Sequence, residues 1–182
     1  MKSQTMSDLI TIDILQDDAQ WDNVPFDLDA VTKQACNATY DHLRAQGRWP
    51  DMIETAELAL TLTNDTAIQT LNHHYREKDK ATNVLSFPAI DFDNDDPAFL
   101  ALQSPVPLGD IVVAYETLDR EKDEQDKSLK DHYTHMIIHG LLHLMGYDHI
   151  EDDEAEEMES LEIEVLSALA IENPYTNEKT VA

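Results

Sequence analysis

The 182-residue chain predicts an α+β, or mixed α/β, fold. The expected architecture is one small, mostly four-stranded mixed sheet packed with about five helices, with a metal site on a C-terminal helix. Three observations carry this reading. The length suits one domain with a real core. The patterning runs strand, helix, strand, helix, two strands, then helices. Histidines cluster on one late helix that a glycine terminates. Residues 1–175 read as a single domain and 176–182 as a loose tail.

Each element has a local cause. Leu9 to Leu15 is rich in β-branched residues and reads as a strand. Asp27 to Gln46 carries Leu28, Val31, Ala35, Ala38 and Leu43 at helical steps, and Gly47 stops it. Cys36, the single cysteine, falls in this helix as core filler. Glu57 to Thr63 alternates as a second strand. Asn64 or Asp65 then caps a short helix through Leu71 and Tyr75. Asn83 to Ile90 and Asp110 to Tyr115 read as two more strands. Between them, Asp91 to Gly109 carries Pro97, Pro105 and Pro107 and reads as a long acidic loop. Ser128 and Asp131 form a capping box for a helix running to Met145, with Gly146 ending it. Glu151 to Ala170 is the last helix, striped by Met158, Leu161, Val165 and Leu169 and acidic elsewhere.

Composition excludes several classes. One cysteine rules out an internal disulfide and a Cys-rich zinc site. No apolar run approaches the roughly 18 residues of a membrane span. Met1 to Leu15 shows no apolar signal-peptide core, so the expected compartment is the cytoplasm. Twelve Lys and Arg stand against 38 Asp and Glu, a net charge of −26. That sum repels phosphates and by itself argues against nucleic acid. The distribution is uneven, however. Val31 to Lys80 holds six bases and seven acids, whereas Asp148 to the end holds twelve acids and one lysine.

His139, His143 and His149 have the spacing His-x3-His-x5-His. Residues four apart on a helix stack one turn apart, so the first two can aim at one point. Gly146 allows a sharp turn that returns His149 to the same point. Three neutral imidazoles with a fourth position open describe a catalytic zinc site. Nickel, iron or copper would also suit three histidines. His132 and His135 read as packed histidines or as supports of the ligands. His42, His73 and His74 read as surface residues. The spacing equals that of metzincin peptidases, but those place a glutamate base after the first histidine. Here that position is Gly140, which cannot take a proton.

The string His139-Gly-Leu-Leu-His-Leu-Met-Gly-Tyr-Asp-His149 resembles the signature of the YbeY-type endoribonucleases. Leu71 to Pro88 is similar to that family's Asn-x2-Tyr-Arg…Val-Leu-Ser-Phe segment, and Leu108-Gly109-Asp110-Ile111 is a third matching block. The resemblance implies a metal-dependent endoribonuclease directed at single-stranded RNA. Its substrate would be the ribosomal RNA precursor at the 3′ end of the small-subunit RNA, with a role in ribosome quality control. Partners would be the ribosome or ribosome-associated proteins.

RNA cleavage needs a counter-charge for the transition state. Arg76 is the candidate, since a guanidinium matches two phosphate oxygens and lies in the nearly neutral segment beside Lys78 and Lys80. The plain reading of Arg76 is an ion pair with Glu77 or Asp79. Ser86 either points into the cleft or caps a turn. Asp110 is a support of the site or, by preference, a strand-end cap. Asp148 is a candidate to orient a histidine ligand. Two rival functions stand beside the nuclease. One is a metallopeptidase, opposed by Gly140. The other is a non-catalytic zinc-containing ribosome-assembly factor, opposed by the open metal position.

Overall fold

The structure, a computed structural model, describes residues 9–176, so the expected tail lies outside it from residue 177 on. The order is β1 (Ile10–Gln16), α1 (Leu28–Ala45), β2 (Ala56–Thr63), α2 (Asp65–Arg76), β3 (Val84–Pro88), α3 (Pro97–Ala101), β4 (Val106–Ala114), α4 (Tyr115–Glu124), α5 (Leu129–Leu144) and α6 (Asp152–Ala168). A short 3-10 turn spans Ala19–Asn23. The sheet is four-stranded and mixed, in the order β1-β2-β4-β3. β1 runs parallel to β2 and β2 to β4, while β3 is antiparallel to β4 and forms an edge.

The caps behave as their chemistry dictates. Asp27 accepts the backbone N–H of Ala30, and Ser128 Oγ accepts that of Asp131, each at 3.0 Å. Gly47 and Gly146 follow α1 and α5 at φ 67° and 93°, the left-handed region that ends helices.

Two expectations need correction. The segment from Asp91 to Gly109 is not all loop. It holds α3, which Asp96 caps ahead of Pro97, and the first four residues of β4. Pro107 and Gly109 hide that strand from a reading by breaker residues. Pro107 is tolerated because β3 pairs with β4 only from Gly109 onward, so the proline ring has no β3 partner. The strand expected to reach Tyr115 stops at Ala114, and Tyr115 opens α4, which had no expectation. Only Thr117 and Leu118 of α4 are buried, so it shows no apolar stripe.

The core lies between one face of the sheet and α1, α5 and α6. Ile10, Leu58, Leu60, Leu62, Ile111 and Val113 point into it. On the other face, Leu85, Val112 and Ala114 pack under Ile68 of α2. The period-2 alternation of β3 therefore sends Leu85 towards α2 and Ser86, which pairs with Ile111, towards α5. A Cβ on Gly140 would lie 3.0 Å from Ile111 Cδ1, so glycine lets α5 approach β4 closely.

The β2–β4 register shifts by one residue near Gly109, which sits at φ 131°. A Cβ there would fall 2.2 Å from the Phe87 carbonyl oxygen and 2.9 Å from the Ala89 nitrogen. Both are backbone atoms, so no rotamer change relieves the clash. Gly109→Ala is expected to destabilise the domain by at least about 2 kcal/mol. Thermal unfolding checks this, and an unchanged melting temperature contradicts it.

Candidate metal centre

α5 stacks His139 and His143 one turn apart, and the turn at Gly146 brings His149 back against both. One ring nitrogen from each of the three lies within 4.8 Å of the others. The ring centroids of His149 are 5.5 Å from His139 and 5.0 Å from His143.

The outer nitrogens are held. His143 Nδ1 lies 2.9 Å from the Tyr147 carbonyl, so it is the donor and carries the proton. His139 Nδ1 lies 2.5 Å from Glu162 Oε1 and donates to that carboxylate. Both Nε2 atoms therefore present lone pairs, and they face each other at 3.1 Å. Two lone pairs at that distance repel unless a cation stands between them. Burial, then the nearby His139 and His149, push the His143 pKa down to about 4, so the ring is neutral at neutral pH. Three converging ring nitrogens, two of them with lone pairs oriented by a partner on the far side of the ring, fit a divalent transition metal ion.

Glu162 was not singled out in the sequence. It is 1 % exposed in the middle of α6, four residues after Met158 and three before Val165, both buried. An acid at a position of the apolar stripe was the available signal. Every other acid of α6 is exposed, as the charge distribution led one to expect. Glu162 Oε2 accepts from His135 Nε2 at 2.7 Å and from the Tyr175 hydroxyl. Burial would raise the carboxyl pKa, but the hydrogen bonds from His135 and His139 outweigh it and hold it well below the usual range. His135 thus supports a candidate ligand through a shared carboxylate. His132 is buried too and bonds Glu121 at 2.8 Å.

Arg76, at the end of α2, lines a cavity of about 220 Å³ together with His139, His143 and His149. Its Nη2 donates to the Ser86 carbonyl at 3.4 Å. Among the described residues it forms no ion pair with Glu77 or Asp79, and Asp79 instead accepts from Gln69. Ser86 lines the same cavity, which answers its open reading. The residue is 6 % exposed, and its Oγ has no hydrogen-bond partner among the described residues. Lys78 and Lys80 are exposed but not on the cavity wall.

Other expectations fall elsewhere. Asp110 sits mid-strand in β4, exposed beside Asp13 and Glu57 on the face away from the histidines, and it caps no strand end. Asp148 accepts the His149 backbone N–H at 2.8 Å, so it fixes the main chain of that residue. His42 lies partly exposed at the surface, as read. It bonds Glu164 at 2.7 Å and ties α1 to α6. His73 and His74 are exposed as expected.

Comparison with known proteins agrees with these features. The family model described as Endoribonuclease YbeY matches residues 14–170. The chain is 45 % identical over 152 residues to an Endoribonuclease YbeY of Agrobacterium fabrum, covering 84 % of this chain and 87 % of that one. It is also 45 % identical over 169 residues to the Bartonella bacilliformis protein of the same name, covering 92 % and 98 %. The solution structure of TM1509 from Thermotoga maritima shares the fold with a TM-score of 0.51 at 21 % identity, over 88 % of this chain and 92 % of that one.

Glu162→Gln keeps the size of the side chain and removes its charge. Metal affinity, measured by chelator competition, is expected to fall about 10- to 100-fold. An affinity equal to the wild type contradicts the role assigned to this carboxylate.

Proposed function

The chain belongs to the YbeY endoribonuclease family, and from that premise we propose that it is a metal-dependent hydrolase that cuts single-stranded RNA. We take residues 1–175 as one endoribonuclease domain. Its substrate is the ribosomal RNA precursor, at the 3′ end of the small-subunit RNA, and it serves ribosome quality control beside ribosome-associated proteins. We place it in the cytoplasm. Among the described residues no helix is long and apolar enough to cross a membrane.

One observation carries the reading: an arginine with no acidic partner among the described residues shares a cavity with three converging imidazoles. A zinc ion held by His139, His143 and His149 would supply Lewis acidity and bring the pKa of water towards neutral. The remaining work belongs to the chain itself. Glu162 and the Tyr147 carbonyl fix the ring orientations of His139 and His143 before substrate arrives. Arg76 offers forked N–H donors to the non-bridging phosphate oxygens, where charge grows in the transition state. The Ser86 hydroxyl, without another partner among the described residues, is placed to donate to the same group.

Among the described residues no carboxylate lines the cavity. A phosphodiester therefore meets no like charge on its walls despite the overall −26. The same fact weighs against a metallopeptidase, which needs a glutamate base. At position 140 a side chain would be driven against Ile111. Three histidines, with no fourth protein ligand among the described residues, weigh against a purely structural zinc.

Arg76→Ala is expected to lower single-stranded RNA cleavage on the order of a hundredfold, with metal content and far-UV circular dichroism unchanged. Cleavage assays with single-stranded RNA, duplex RNA and casein check this. Undiminished RNA cleavage by the variant removes the role of Arg76, and cleavage of casein instead of RNA overturns the nuclease reading.

A further inference from the structure

Tyr75, on the last turn of α2, is 62 % exposed. Its ring meets Phe87 at 5.2 Å and His74 at 4.7 Å, both in steeply tilted contacts at 66° and 88°. Neither neighbour lies flat on it, so the ring is held in place while remaining mostly in water. Arg76 follows directly and lines the metal cavity.

The two side chains straddle β3. Arg76 bonds the Ser86 carbonyl, whereas Tyr75 packs on Phe87, whose side chain points to the opposite face. β3 is an edge strand, and among the described residues no further strand covers this rim. Lys78 and Lys80 follow on an exposed turn, without an ion pair among the described residues. Three cations within five residues stand out in a chain of 12 bases and 38 acids. Phe99, the other exposed large aromatic among the described residues, lies just after Asp95 and Asp96 and has no cation within four residues in sequence.

An aromatic face beside backbone-reading cations is how proteins hold single-stranded nucleic acid. We propose that Tyr75 is a base-stacking platform: a nucleobase flanking the phosphate at Arg76 lies on its ring as the strand crosses the rim at β3. This inference rests on the RNA reading above. It assigns a substrate subsite outside the metal cavity. A base inside a duplex already has both faces covered by its stacked neighbours, so the platform also gives a reason for single-strand preference.

The test is binding of a fluorescein-labelled single-stranded oligoribonucleotide to the metal-loaded protein, read by anisotropy before scission, as a gel verifies. Tyr75→Ala is expected to weaken binding tenfold or more, while Tyr75→Trp retains it. Trp21 and Trp49 are buried, at 1 % and 3 % exposure, so quenching of the exposed tryptophan in Tyr75→Trp reports stacking at this position. A duplex of equal length should show neither effect. If the wild type binds the single strand while Tyr75→Ala binds equally well and Tyr75→Trp is not quenched, the platform is overturned and the nuclease reading stands. If the wild type neither binds nor cuts single-stranded RNA, the nuclease reading fails, and the platform with it.

Discussion

A carboxylate removed from water must be given donors, and Glu162 shows how much structure such a demand organises. It takes donors from His139 and His135 on α5 and from Tyr175 beyond α6. α6 is thereby fixed against α5 by a polar contact inside an otherwise apolar seam. The same contact assigns the proton of His139 to Nδ1, which turns Nε2 towards His143 and His149. Replacing the pair by packed hydrocarbon would cost the fold little, since buried ionic groups are weak sources of stability. Their value here lies in orientation, because an imidazole free to rotate would not hold its lone pair on a common point.

The rest of the centre depends on two close approaches of backbone. Gly140 lets α5 settle on Ile111 of β4, which sets the distance from the histidines to the sheet. Ser86 pairs with Ile111 and so faces the same space. Gly146 turns the chain at positive φ, and Asp148 holds the returning main chain at His149. Arg76 arrives from the other side of β3, by way of the helix that Asn64 caps. The cavity is the meeting place of one buried helix, one sheet edge and one surface cation.

Much of this was legible because its causes are local. Asp27, Ser128, Gly47 and Gly146 mark helix ends by their own chemistry, and the histidine spacing follows from the helical repeat. β4 was shortened in the reading because Pro107 and Gly109 look like breakers, and only the sheet shows why they are tolerated: β3 does not pair at Pro107, and the register with β2 shifts at Gly109. α4 escaped because a helix held by so few buried residues writes no stripe. Glu162 was lost among the exposed acids around it, although its place between Met158 and Val165 was apolar by pattern. Arg76 and Ser86 were candidates from the sequence, but placing them on one cavity with the histidines required the sheet order, which no local signal carries.

The central claim is that three imidazoles converge on one ion, with His139 and His143 oriented from outside by Glu162 and the Tyr147 carbonyl. Anomalous diffraction at the metal absorption edge from crystals of the metal-loaded protein tests it most directly. The account predicts a single peak about 2.0–2.1 Å from Nε2 of His139, Nε2 of His143 and one ring nitrogen of His149. A peak ligated by Glu162 or by the Nδ1 atoms, or one lying away from these rings, would contradict it.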